Sequence, residues 1–140
     1  MDVNKVLSGT DGKTWINGQL LGTLSSIEAK VTGTFEEVSF CGDPATYNRY
    51  MGWSGEGALA FRKIDSTVLE LLANAYQEGV MPDIKIITKL KDRGSQKAER
   101  VALTGVTFTE FMLAKFETKT LINEELPFKF SNFEILERIA

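Results

Sequence analysis

Residues 7–14 read LSGTDGKT, and the closing Gly12-Lys13-Thr14 matches the end of a phosphate-binding loop, G-x-x-x-x-G-K-[ST]. That chemistry works by aiming the N–H groups of a loop and a helix N-terminus at phosphate. The surrounding residues deny it. Leu7 stands where the motif needs its first glycine, no hydrophobic strand precedes it, and Asn17-Gly18 breaks the chain before a helix can start. The stretch is expected to be a turn leading into a hairpin. The outer glycine spacing returns in Gly52-Trp53-Ser54-Gly55-Glu56-Gly57, without a lysine and followed by a strand-like Ala58-Leu59-Ala60-Phe61. These glycines are expected to allow a bend or the close approach of a neighbouring backbone.

Other chemistry is equally bare. The chain has no histidine, which removes the commonest general base, the commonest zinc ligand and any Ser-His or Cys-His pair. Cys41 is the single cysteine and has no basic neighbour in sequence, so it reads as a structural thiol in a reducing compartment. A metal site would need carboxylates, and no EF-hand spacing is visible. No catalytic, cofactor-binding or metal-binding residue is therefore assigned.

The 140 residues suit one domain, 1–140, and 43% hydrophobic with 25% charged residues suits a folded chain. A net charge of −3 gives no basic excess for duplex DNA. The first residues show no apolar signal core, and no run approaches the ~18 apolar residues of a membrane helix.

The elements follow from periodicity. Residues 1–12 read as an arm. Lys13–Ile16 and Gln19–Leu21 flank Asn17-Gly18, the pair that a type I′ turn favours, and Trp15 should face Leu20. Residues 25–40 alternate as a long half-buried strand: Ile27, Ala29, Val31, Gly33 and Phe35 share one face, Glu28, Lys30, Thr32, Thr34 and Glu36 the other. The phase changes near Glu36-Glu37, where a bulge is expected. Residues 41–52 read as the longest loop, and 53–63 as a strand. Residues 65–78 read as the one helix, capped by Asp65 or Ser66, stopped by Gly79, with Val68, Leu72 and Tyr76 in an apolar stripe. Strands are expected at 83–92, 97–111, 114–122 and 127–136. Lys85, Lys89 and Lys91 read as a solvated strand face, or as a row that protects an edge strand or pairs with a partner.

Strands, one helix, then strands predict a mainly β, α+β fold: an antiparallel β-barrel or sandwich flanked by a single helix. Tyr47, Tyr50, Met51 and Trp53 cluster by the long loop, where they would either anchor it or form a subunit contact. Glu28, Glu36, Glu37 and Asp43 could form an acidic surface.

In order along the chain stand Gly9-x-x-Gly12-x-x-Trp15-x-Asn17-Gly18, a long strand ending Glu36-Glu37-Val38, Gly52-x-Ser54-Gly55-x-Gly57-x-Leu59-x-Phe61-Arg62-Lys63, a helix and a strand ending in F-x-F. This pattern resembles the tail tube proteins of contractile-tailed phages, and most of all the core tail protein of PBSX-like defective prophages and related bacteriocins. The resemblance spans nearly the whole chain. It implies a structural, non-enzymatic protein whose six copies form a ring with a continuous inner barrel, the rings stacking into a hollow tube like that of type VI secretion. It implies an electronegative lumen through which DNA or effectors pass unbound, and contacts with sheath, tape-measure, baseplate and tail-terminator proteins. The location implied is the virion tail, assembled in the host cytoplasm. Stacking contacts would fall on the arm, with Val3, Val6 and Leu7, and on the 41–52 loop, with Tyr47, Tyr50, Met51 and Trp53. Glu28, Glu36 and Glu37 are lumen candidates. The acidic balance suits a conduit that repels phosphate. The competing expectation is a soluble β-barrel that holds a small molecule in an apolar cavity.

Overall fold

The computed structural model describes residue 3 and residues 7–64, 66–92 and 94–139. A 3-10 turn, Gly9–Asp11, leads into β1 (Gly12–Ile16) and β2 (Gln19–Leu20). Two long strands follow, β3 (Leu24–Ser39) and β4 (Thr46–Arg62), then the helix α1 (Thr67–Glu78). The chain closes with β5 (Ile84–Lys91), β6 (Ala98–Phe108), β7 (Asn123–Phe130) and β8 (Asn132–Glu137).

All pairings are antiparallel, in the order β2-β1-β5-β6-β7-β4-β3, with β8 added to the flank of β6 that β5 leaves open. β6 belongs to two sheets. Its first part lies between β5 and β8, and its last two residues, Thr107 and Phe108, pair with β7. The change of sheet falls at Gly105, whose φ of 63° suits a residue without a Cβ and whose missing Cβ makes room for the Ser131 side chain. The first sheet is thus β2-β1-β5-β6-β8, the second β6-β7-β4-β3.

The core lies between them. Ile84, Ile86, Leu103 and Val106 come from the first sheet, Leu59, Phe61, Leu126, Phe128 and Phe130 from the second, and Leu72 from α1. Phe108 meets Phe128 edge-to-face at 6.1 Å, the arrangement that the ring quadrupoles favour. Asn17 and Gly18 both take positive φ, and Trp15 pairs with Leu20 as the turn chemistry predicts. The helix is stopped by Gly79 in the left-handed region, whose N–H donates to the Ala75 carbonyl at 2.9 Å. Leu72 and Ala75 are buried, and the Tyr76 hydroxyl donates to the Phe108 carbonyl. Of the two proposed caps, Ser66 makes no side-chain capping bond and Asp65 lies outside the described residues. Just past β4, the Lys63 ammonium sits 2.9 Å from the Glu124 carboxylate, a largely buried pair that ties the chain to β7.

Five expectations are corrected. Residues 46–52 are not loop but the first part of β4; the loop shrinks to Phe40–Ala45. The turn-like Gly52 is absorbed as a bulge: Thr34 faces Gly52 and Phe35 faces Tyr50, leaving Met51 as the extra residue. The bulge thus lies on β4 rather than at Glu36-Glu37. Residues 114–122 form no strand, and the single strand expected at 127–136 is two, β7 and β8, parted at Ser131. β5 is no edge strand, because β1 and β6 pair with its two sides.

Candidate functional site

The residues of the false phosphate loop show why no nucleotide site forms. Gly12, Lys13 and Thr14 are strand, and Thr14 is fully buried, its side chain turned into the protein opposite Thr88. Its hydroxyl oxygen has no hydrogen-bond partner among the described residues. Among the described residues no group of three or more acidic or cysteine side chains could hold a metal ion. Cys41 is exposed.

The distinctive surface is the β3–β4 hairpin. Its base joins the second sheet, where β4 pairs with β7 from Gly55 to Arg62. Beyond Gly55 only β3 pairs with β4, for roughly nine residues per strand, a projection of ~30 Å at the usual rise per residue. Glycines make the base compact. The ring of Phe130 lies over Gly55, and a Cβ on Gly57 would meet both the Phe128 ring and the Glu28 carbonyl. The expectation of close approach at this G-x-G holds, with rings as well as backbone as the neighbours.

The projecting part is held by its own side chains. Phe35 and Tyr50 meet edge-to-face at 5.7 Å, and Phe40 and Tyr47 pack tilted at 5.9 Å. At the tip, Gly42 turns with φ of 85°, the Tyr47 hydroxyl donates to Asp43 at 2.7 Å, and the Ala45 N–H donates to the other Asp43 oxygen at 2.9 Å. The Tyr47 hydrogen bond, and then the Ala45 N–H, hold the Asp43 carboxyl below its ordinary range; the same bond to Asp43 raises the Tyr47 phenol.

This hairpin exposes Val31, Phe35, Phe40, Tyr47, Tyr50 and Met51, the last three of which were singled out from sequence. Phe35 is still 58% exposed despite its ring contact with Tyr50. Val31 and Phe35 were expected to be half-buried because they alternate; alternation marks a face and does not say whether the chain itself covers it. Trp53 is set apart from its neighbours: it is partly buried, packed against Phe130 and Phe133 at 6.2 and 5.3 Å. Val3 and Leu7 are exposed, and Val6 lies outside the described residues. A second apolar surface that the sequence reading missed is the irregular segment 109–122, which exposes Met112, Leu113, Phe116 and Leu121. Its lack of any alternation into a buried face was the available signal.

The acidic candidates divide. Glu28 and Glu36 lie on the outward face of the second sheet, beside Lys30, which sits 3.5 Å from Glu56. Glu37 has the opposite parity and points to the other face of the hairpin.

Two antiparallel sheets, a single helix and a long projecting hairpin make up a mainly β fold that solved tail tube proteins share. The chain belongs to the phage tail tube protein family, which it matches over residues 1–137. Among its relatives, the phage-like element PBSX protein XkdM of Bacillus subtilis (strain 168) is 26% identical over 142 residues, covering 100% of this chain and 97% of the relative. Solved structures share the fold. The tube-terminating cap of the anti-feeding prophage superposes with a TM-score of 0.80 at 9% identity, covering 99% of this chain and 95% of the other. A chain of the PVC sheath-tube complex, from an extracellular contractile injection system, gives 0.78 at 8% identity, covering 97% and 95%. The SPP1 tail tube gives 0.68 at 10% identity, covering 96% and 81%.

Proposed function

We propose that this chain assembles into hexameric rings that stack as the inner tube of a contractile phage tail or phage-tail-like particle, a conduit for DNA or effectors. The observation that carries the reading is the β3–β4 hairpin, which projects beyond the body with Phe35, Tyr50 and Met51 exposed. A two-stranded hairpin is at best marginally stable alone in water, so this one is completed by a second copy of the chain. Contact between different patches on successive copies closes into a ring when the rotation permits, and rings then stack. Membership of the tail tube family and the likeness to a sheath–tube component support the reading.

In this proposal the arm with Val3, Val6 and Leu7 and the hairpin with Tyr47, Tyr50 and Met51 meet neighbouring copies. Trp53 supports the hairpin base from within. Glu28 and Glu36, on the polar outward face of the second sheet, line the lumen; Glu37 faces a neighbour instead. Sheath, tape-measure, baseplate and terminator proteins are the other partners, and the virion tail, assembled in the host cytoplasm, is the location. The rival reading, a small-molecule carrier, is disfavoured because Phe108, Phe128 and Phe130 fill the space between the sheets.

Electron microscopy of concentrated protein is the test. Rings or hollow tubes are expected. Strict monomers under every condition, with sheath and tape-measure proteins present, would end the proposal.

A further inference from the structure

The first sheet carries a charge pattern on the side away from the core. Lys13 of β1, Lys89 of β5 and Arg100 of β6 are direct cross-strand partners, so three cations stand side by side on adjacent strands. Their neighbours in sequence, Thr14, Thr88 and Val101, turn to the opposite, inner face, where Thr14 is fully buried. Lys91 lies two residues on from Lys89 and shares its outward face. Where the row reaches β8, Lys97 and Arg138 join Lys89 and Lys91 around an open cleft of about 580 Å³. Among the described residues, Arg100 alone of these cations has an ion pair, 3.6 Å from Glu137, and its buried Nε has no partner.

Like charges directly opposite one another destabilise a sheet. A chain with net charge −3 has acidic residues to spare, yet this row is left with one carboxylate at its end. An anionic partner offsets that repulsion. The other sheet's outward face differs: Lys30 and Lys129 each stand opposite Glu56, so cation and carboxylate alternate there.

We infer that the outward face of the first sheet, centred on Lys13, Lys89 and Arg100, docks an acidic segment of the sheath protein that surrounds the tube. This rests on the tube reading, and specifically on the second sheet facing the lumen, which leaves the first sheet facing out. A protein segment fits better than nucleic acid. Three adjacent strands put the row across only ~10 Å, too narrow to follow a duplex backbone, and the whole chain is anionic. Carboxylates on a narrow extended segment can reach Lys13, Lys89 and the cleft, whose one lining carboxylate, Glu137, is already paired with Arg100.

The test uses full-length chain and the sheath protein of the same particle. Three forms are compared: wild type, Lys13→Gln with Lys89→Gln, and Lys13→Glu with Lys89→Glu. Circular dichroism and electron microscopy establish that each folds and forms tubes. Sheath binding is read by co-sedimentation with tubes at 50 and 500 mM NaCl. The inference expects intact tubes from all three forms, with sheath binding weakened several-fold by the neutral pair and at least ten-fold by the reversed pair. It also expects wild-type binding to weaken at high salt. Intact tubes that bind sheath equally in all three forms would overturn it. So would tight binding of a 20-base-pair duplex, lost in the reversed pair, with sheath binding unchanged. Failure of wild type to form tubes is a different result: it removes the tube reading, and this inference with it.

Discussion

At the scale of single residues, contact geometry rather than reactivity explains the glycines and polar groups of this chain. Gly57 is confined between the Phe128 ring and the Glu28 carbonyl, and a backbone carbonyl within a paired strand cannot move aside. Gly57→Ala should therefore cost at least ~2 kcal/mol by overpacking, read as a fall in thermal midpoint. Thr14 presents the reverse case. Its buried hydroxyl has no partner among the described residues, so Thr14→Val removes an uncompensated polar atom and should leave stability unchanged or raise it by ~1 kcal/mol. Urea denaturation would read this; a marked loss would reveal a hydrogen bond to the Thr14 hydroxyl. Lys13→Ala, at an exposed position, should stay within ~0.5 kcal/mol of wild type. The Lys63–Glu124 pair is mostly shielded from water, and Glu124→Ala, which strands the ammonium, should cost ~3 kcal/mol in the same assay.

At the scale of elements, the hairpin has a distinct dependence on pH. The Asp43 carboxyl is held down by the Tyr47 hydroxyl and the Ala45 N–H. A depressed carboxylate contributes order above its unfolded range, and that contribution is lost as pH falls through the lowered folded value. The Tyr47 phenol is raised, so its share is complete below its ordinary range and lost as pH climbs through the raised value. The tip should thus be ordered from mildly acid to mildly alkaline solution. Hydrogen exchange at Ala45 should quicken in strong acid in wild type, and Asp43→Asn should flatten that dependence. The aromatic cluster at the base does not titrate and should be indifferent to both changes.

At the scale of the whole molecule, two long strands leave the body and keep both faces in water within a single chain. Phe35→Ser together with Tyr50→Ser removes exposed apolar area, not core. The double variant should keep its fold, as judged by thermal midpoint, but fail to form tubes by electron microscopy. Deleting residues 1–12 should likewise impair stacking, and normal tubes from that truncation would remove the arm from the assembly proposal.

Much of this architecture is legible in the residues alone. Asn17-Gly18 determines a hairpin because few other pairs accept two positive φ angles, and Gly79 ends the helix for the same reason. The absence of histidine removes histidine-based acid–base chemistry and zinc ligation from the outset. The order of strands and one helix indicates the sandwich, and the resemblance of the ordered motifs from Gly9 to Lys63 indicates the family. The extent of the hairpin is not legible, because Gly52 signals a turn locally, while fifteen cross-strand pairings with β3 carry it through as a bulge. Nor is the division of Tyr50 from Trp53. Three residues apart and alike in chemistry, one is left in solvent and the other packs on Phe130 and Phe133. Their separation depends on where β7 stops pairing with β4, at Gly55. Local preference decides which segments bend and which extend; only the meeting of strands distant in sequence decides which aromatic faces are covered.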